Sequence, residues 1–568
     1  MTRVLHSLLI LCILLPFADA QQPTTAVKVD QVGYLSERPK IALVSTPATV
    51  FALKRLDDGT TVFDGKLSPP IVDKDTGDTV QAADFSSLRT TGEYYLEIPG
   101  VGRSWPFRIG NDVYQRAFYL VMRGFYGQRC GVAVNMGQEF PTYQHGACHL
   151  EGKFHESSGR SGVRANYGGW HDAGDYGRYM VNSGISTGSL LWAYEIYFSK
   201  IGNIKLGIPE SGNGTPDILN EARFNLEWML RMQDNDGGVW HKQTSAQFPG
   251  FLMPEDDKLP SEVIGTGRAP FKSTCATADL AAVAAIAARV YAPFDKKFAE
   301  RSLSAAKNAW QWTQNNPNVT FKNPPGVGTG EYGDDSCSDE RLWASAELWR
   351  TTGEYEYNQY FVANYQSFMD RLRKPDAEGW REVAPMGLWT YAFANRNGEN
   401  STAIAAIKQG TTTAAEAIVR NTANNAYHVS LTSDDYVWGS NGVVGNYGMQ
   451  LLIANQFSPR VDFVNAALDN LHYLFGRNTF SVSWVTQLGA HSFQHPHHRP
   501  SGADKNIEPW PGLLSGGPNA RRQDEVLAKL PPDTPPARVY ADEQASYSSN
   551  EIAINWQAAL AFLLAGLR

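Results

Sequence analysis

From residue 187 to the end of the chain the sequence keeps returning to one pattern, apolar side chains spaced three and four apart, and nothing else constrains the fold as strongly. The pattern covers 187–199, 216–233, 274–290, 298–315, 339–352, 357–372, 411–421, 446–455, 461–475 and 551–567. Long loops rich in Gly, Pro, Asn and Trp separate these segments, and convincing strands are few among them. Such a chain predicts an all-α domain, either a closed barrel of helical hairpins or an α-solenoid. Periodicity does not choose between the two. Residues 26–110 read differently. Short alternating runs at 40–45 and 93–98, with turn signals at Asp57-Asp58-Gly59 and Asp75-Thr76-Gly77, predict a small β-sandwich ending near Gly110.

A length of 568 residues fits that division into a small domain at 26–110 and a large one at 111–568. Hydrophobic residues at 42% and charged ones at 19% describe a globular protein, and a formal charge of -8 argues against nucleic acid as a partner. The start, Met1-Thr2-Arg3 followed by an apolar run and Phe17-Ala18-Asp19-Ala20, has the layout of a cleaved secretory signal at 1–20. No later run of about 20 uninterrupted apolar residues follows, so a soluble, secreted protein with no membrane partner is expected. Cleavage removes Cys12. Four cysteines remain, Cys130, Cys148, Cys275 and Cys337, too few to build a scaffold of this size from disulfides.

Three segments carry residues suited to chemistry. In Gly168-Gly169-Trp170-His171-Asp172-Ala173-Gly174-Asp175 two carboxylates three residues apart can jointly hold and deprotonate a water, although a lone aspartate there more often caps the next helix. In Tyr540-Ala541-Asp542 through Tyr547-Ser548-Ser549-Asn550-Glu551, Glu551 is either an acid or the last member of a Ser-x-x-Glu capping box. Between them lies His491 to Pro500, whose His497 and Arg499 can donate to sugar hydroxyls and whose histidine spacing matches no familiar zinc motif. Aromatic residues at 12%, with 15 Trp, supply either an ordinary core or flat faces for pyranose rings.

Two further groups suit metals. Cys130, Cys148, His149 and His171 can close a tetrahedral site, or Cys130 and Cys148 can form a disulfide. The stretch 332–343 gathers Asp334, Asp335, Asp339 and Glu340, which either favour the positive end of a helix capped by Ser338 or bind calcium. Calcium candidates are Asp335, Asp339 and Glu340. Cys275 and Cys337 are expected as buried free thiols.

Taken together, the Gly-Trp-His-Asp-Ala-Gly-Asp block, the Pro-His-His-Arg block and the Tyr-x-Asp…Ser-Asn-Glu…Ile-Asn-Trp block resemble glycoside hydrolase family 9, cellulases with an (α/α)6 barrel, in the subgroup with an N-terminal immunoglobulin-like domain. Val29-Asp30-Gln31-Val32-Gly33-Tyr34 also resembles the start of that subgroup's β domain. The resemblance implies an inverting endo-β-1,4-glucanase acting as a monomer on β-glucan polysaccharide or oligosaccharide. It implies Asp175 as general base with Asp172 helping to hold the water, Glu551 as general acid, and Asp542 behind it. His497 and Arg499 would grip the sugar, with Trp170 and Tyr547 as substrate-binding rings. Zinc on the Cys130, Cys148, His149 and His171 set is implied too, bracing the loop of the base, as is calcium at an Asp-Glu pair. Two departures from the family pattern, His491 and Gln557, are expected to alter subsites. The competing readings are an exo-acting cellodextrinase or glucosaminidase, a carbohydrate-binding protein without turnover, and a zinc hydrolase.

Overall fold

The computed structural model describes residues 22–568 apart from Arg373 and Asp376; the expected signal segment at 1–20 lies outside them. The first part is a sandwich of two sheets. One runs in the order Val27–Lys28, Ile41–Val44, Thr79–Asp84, Ile71–Val72, and the other Gly33–Tyr34, Phe107–Ile109, Gly92–Ile98, Val50–Arg55, Thr61–Lys66. Alternation sets the layers: in Gly92–Ile98 the side chains of Tyr94, Leu96 and Ile98 turn inward, where they meet Tyr34, Phe51, Leu53, Phe85 and Phe107.

Among the described residues the remainder holds twelve α-helices of nine or more residues: α1 Gln115–Gly127, α2 Met180–Ile201, α3 Asp217–Arg231, α4 Thr274–Tyr291, α5 Lys296–Asn315, α6 Ser338–Thr352, α7 Tyr355–Asn364, α8 Ala384–Ala392, α9 Ser401–Asn424, α10 Ser440–Phe457, α11 Val461–Leu474 and α12 Ile554–Leu567. Even-numbered helices form an inner layer. α2 packs on α4, α4 on α6 and α6 on α8, while α12 packs on both α10 and α2 and so returns the chain to its start. The odd-numbered helices lie outside, each against an inner one, with α1 on α12. Composition explains the sorting. α4 is apolar nearly all round and rich in alanine, so it is buried on every side, whereas α5 buries mainly Phe298, Ala299, Ser302, Ala305, Ala306 and Ala309, one stripe of its surface. The ring is therefore the closed alternative of the two that periodicity left open, an (α/α)6 barrel.

Three features escape a reading by periodicity. α1 and α8 have no counterpart among the predicted segments, and the segment 357–372 divides into α7 and a 3-10 stretch, Tyr365–Leu372. A five-stranded sheet also lies at one end of the barrel, in the order Val163–Arg164, Gly152–Phe154, Glu262–Ile264, Lys242–Thr244, Arg178–Tyr179. Its strands have two or three residues each, too few to show alternation.

The sandwich is joined to the barrel by buried polar contacts. Asp30 accepts from the backbone of Val32 (2.8 Å) and Gly33 (2.9 Å) and meets His472 of α11 at 2.8 Å. Asp78 accepts from Thr479 (2.8 Å), Arg538 (2.6 Å) and Tyr427. Trp105 stacks on His491 with ring centres 4.6 Å apart. Asp30→Ala would strand two buried N–H groups and a buried imidazole, so it is expected to lower stability by about 3 kcal/mol. Thermal unfolding of the full chain measures this, and an unchanged midpoint would show that the contact does not bind the domains together.

Candidate active site

The loop 168–179 enters α2 in a path that glycine permits. Gly168 and Gly169 have φ of +88° and +80°, and a Cβ on Gly174 would sit 1.8 Å from the carbonyl oxygen of His497. That close approach brings the loop against the segment 495–499. Asp172 is buried, with Oδ1 accepting from Asn182 (2.7 Å) and Oδ2 from the Tyr332 hydroxyl (2.6 Å). Burial first, and then the charge of Asp175, push its carboxyl up to about 8. Asp175 Oδ2 accepts from Gly177 N and the Tyr179 hydroxyl, each at 3.1 Å. Neither aspartate is a helix cap, because the residue before α2 is Tyr179 and makes no side-chain cap.

Glu551 arrives from the far end of the chain. It is an extended residue between the turn Tyr547–Asn550 and α12, paired in parallel with His497. Its carbonyl accepts from Gly516 N (2.7 Å), and the amide of Ile554, the first residue of α12, donates to the carbonyl of Asp172 (2.9 Å). The capping box is absent. Ser548 donates instead to Asp524 (2.6 Å), and Ala553, the residue before α12, supplies no side-chain cap. Burial, then Asp175 and Asp172, hold the Glu551 carboxyl well above the usual carboxylate range.

Asp172, Asp175 and Glu551 line one cleft of about 380 Å³ with Tyr179, Phe248, Glu331, Tyr332, Trp380, Trp438, Asn555 and Trp556. A larger, shallower hollow of about 870 Å³ beside Lys153 and His155 contains none of the predicted residues. His497 adjoins the cleft, its Nδ1 2.7 Å from Gln544 O and its ring edge-on to Phe251. Tyr547 is 39% exposed and faces both His497 and Trp438. Arg499 is held against the aspartate loop. Its Nη1 and backbone N donate to Gly174 O (2.8 and 3.0 Å) and its Nε to Pro249 O (2.9 Å), which fixes the aspartate loop. Asp542 accepts from the backbone of Gln494 (2.7 Å) and His495 (2.8 Å) and from Asn550 (3.0 Å), so it ties the His497 loop to the residue before Glu551.

Models of known families match nearly all of this chain: "Glycosyl hydrolase family 9" over residues 114–564 and "Cellulase N-terminal ig-like domain" over 22–103. The chain belongs to glycosyl hydrolase family 9. Endoglucanase D of Acetivibrio thermocellus is 39% identical over 95% of this chain and 83% of its own length. A cellodextrinase of Butyrivibrio fibrisolvens is 33% identical over 95% of this chain and 99% of its own. Among solved structures, a zinc-binding triple mutant of the family 9 endoglucanase J30 superposes with a TM-score of 0.86 at 34% identity, covering 94% of this chain and 99% of that one. The protein is a glycoside hydrolase with an (α/α)6 barrel and an immunoglobulin-like domain.

Within this family 9 chain one predicted substrate ring is corrected. Trp170 is fully buried, packs on Phe125 and donates its indole N–H to Glu221 (2.9 Å), so it belongs to the core. The rings that do reach the cleft, Phe248, Tyr332, Trp380 and Trp438, come from loops without a motif and were missed. His491 and Gln557 also depart from expectation. His491 stacks on the sandwich, and Gln557 bonds the backbone of Val121, Gly512 and Leu514, so neither lines the cleft.

The four zinc candidates converge. Cys130 and Cys148 are free, with sulfurs 3.7 Å apart; Cys130 Sγ lies 3.8 Å from His149 Nδ1 and Cys148 Sγ 3.6 Å from His171 Nε2. A tetrahedral ion with Zn–S of about 2.3 Å and Zn–N of about 2.0 Å requires edges of about 3.3–3.8 Å, so the donor set fits. Asp257 Oδ2, 3.2 Å from His149 Nε2, supplies the carboxylate that orients such a ligand.

The acidic stretch is only partly as expected. Asp335 is corrected: its side chain is 83% exposed and paired with Arg381 (2.8 Å). Asp334 turns inward instead. Both oxygens of Glu340 and of Asp279 on α4, and Oδ2 of Asp334, are buried without a partner, while Asp339 Oδ2 accepts from Val383 N (2.9 Å). Burial, and then the charge of Asp339, raise Glu340 and Asp279 well above the usual range. Cys275 and Cys337 are not free thiols. They form a disulfide joining the first turn of α4 to the residue before α6.

Proposed function

We propose that this hydrolase cuts internal β-1,4 bonds of cellulose-type glucans with inversion, Asp175 activating the water and Glu551 protonating the leaving oxygen. The observation that carries this reading is a single cleft in which Glu551, disposed to stay protonated, faces the Asp172–Asp175 pair between aromatic walls. Inversion needs one carboxylic acid on the leaving group and one carboxylate on water. Asp172, tied to Asn182 and Tyr332, orients the site while Asp175 takes the proton from water. Rings of Trp380, Trp438, Trp556 and Tyr547 offer faces on which successive glucose units stack. Endoglucanase D, alike over nearly the whole chain, supports the endo reading.

Zinc held by Cys130, Cys148, His149 and His171 belongs to the same proposal. It would brace the aspartate loop through His171, and four protein ligands leave no position for a catalytic water. Calcium held by Asp339 and Glu340 with the inward-facing Asp334 and Asp279 would neutralise a buried cluster in which neither oxygen of Glu340 or of Asp279 meets a donor. A polymeric substrate is met outside the cell, in keeping with the expected secretion.

Cellopentaose hydrolysis followed by NMR tests the chemistry, with the α-anomer expected first. A β-anomer appearing first would overturn inversion. Carboxymethyl cellulose should lose viscosity before reducing ends accumulate; the reverse order would make the enzyme exo-acting, and binding without hydrolysis would leave only the carbohydrate-binding reading.

A further inference from the structure

Behind the candidate base lies a charged side chain that this chemistry does not use. Lys242 is fully buried in the strand Lys242–Thr244, opposite Tyr179 in antiparallel register. Its ammonium donates to Asn323 Oδ1 (2.7 Å), Gly330 O (2.7 Å), Thr329 O (3.2 Å) and Thr329 Oγ1 (3.2 Å). All four acceptors are neutral, so the charge is solvated by dipoles and not cancelled. A buried ammonium held this way is expensive, and an apolar side chain of similar volume would fill the same space at lower cost.

Two things follow from its place. The acceptors all belong to residues 323–330, the segment that leads into Tyr332, whose hydroxyl donates to Asp172. His241, the preceding residue, fastens the same segment: its Nε2 lies 3.1 Å from Glu331 O, and its ring stacks on Phe321 at 3.9 Å. Gly330 in turn packs on the ring of Tyr179, where a Cβ would come within 3.2 Å. The second consequence is electrostatic. The ammonium is 5.6 Å from the centre of the Tyr179 ring, and the hydroxyl of that ring donates to Asp175.

We propose that Lys242 is a positioning residue for hydrolysis, stapling the segment that delivers Tyr332 and placing an uncancelled positive charge behind Tyr179, where it favours the carboxylate form of Asp175. The proposal rests on the reading of Asp175 as the base. The other charged or titratable groups around Asp175 are Asp172 on its own loop, Tyr179, Glu551, Tyr332, His497, Arg499 and Glu331. Burial brings Lys242 down to about 7, so its charge is present on the acid side of neutrality.

Removing a nearby positive charge raises the pH at which a carboxyl ionises, so the acid limb of kcat/KM on cellopentaose should move up. For Lys242→Met we expect a displacement of about one pH unit and a kcat reduced about tenfold. Asn323→Ala, which loosens the staple but keeps the charge, should leave the limb where it is. A limb unmoved in K242M would overturn the proposal. If K242M lacks the far-UV dichroism of the parent, Lys242→Arg decides: the charge is retained, so its limb should stay in place, and a displaced limb would refute the electrostatic role. Asp175→Asn, assayed alongside, separates the two ideas. An active D175N removes the base assignment itself, whereas an inactive D175N with an unmoved K242M limb removes only the role of Lys242.

Discussion

Glu551→Gln is expected to reduce kcat on cellopentaose by about 10³-fold, with Asp175→Asn producing a loss of similar size. The two losses have different causes and separate by leaving group. An alkoxide cannot depart from the anomeric carbon without a proton, and desolvation, with Asp175 and Asp172 beside it, holds the Glu551 carboxyl well above the usual carboxylate range. Dinitrophenolate departs unaided, so dinitrophenyl β-cellobioside should restore much of the rate to E551Q and little to D175N. The pH profile adds a sign. A carboxyl raised above its usual range supplies its proton at lower pH and loses it as pH climbs through the raised value. Activity of the parent should therefore fall on the alkaline side, and E551Q should lack that limb. Equal recovery of both variants on the activated substrate would sink the division of labour.

Cys148→Ser is the other change expected to have a large effect. Metal analysis of the parent should find one zinc per chain, and the variant should lose it together with several kcal/mol of stability, lowering the apparent Tm by roughly 5–10 °C. Activity should fall as well. His171 is bonded through the chain to Asp172, and the amide of His171 donates to Gln128 O (2.7 Å), so loosening this proposed ligand would free the loop that holds the proposed base. Parent protein free of zinc, with a Cys130–Cys148 disulfide by thiol titration, would end this reading. Calcium chelation by EGTA should lower the midpoint separately, through Glu340 and its neighbours.

The sequence was most readable where one residue settles its own surroundings. Apolar periodicity marks α4 and α5 to within a few residues, and the glycines of 168–174 mark a loop that must pass close to other backbone. α1 was missed although it starts at Gln115, just past the expected end of the sandwich near Gly110, and α8 was missed because nine residues give too few turns for a period to stand out. Pairings were the least readable. Nothing local joins Cys275 to Cys337, 62 residues apart, or brings Trp380 and Trp438 beside Glu551, because those contacts exist only once the ring has closed. Trp170 illustrates the converse error. Its position beside His171 and Asp172 suggested a sugar ring, yet Trp170 points into the core, His171 towards Cys148, and of the three only Asp172 lines the cleft.

The return of α12 to α2 sets a condition on when this protein can work. The loop of the proposed base leads into the first inner helix and the proposed acid shortly precedes the last, and the hydrogen bond from Ile554 to Asp172 ties the two ends of the barrel beside the cleft. Most of the helical domain, residues 176–550, thus lies between the two halves of the candidate site. A chain interrupted before residue 554 would be inert, not weakened, and the first hydrolytic event after synthesis would report that the last helix had docked.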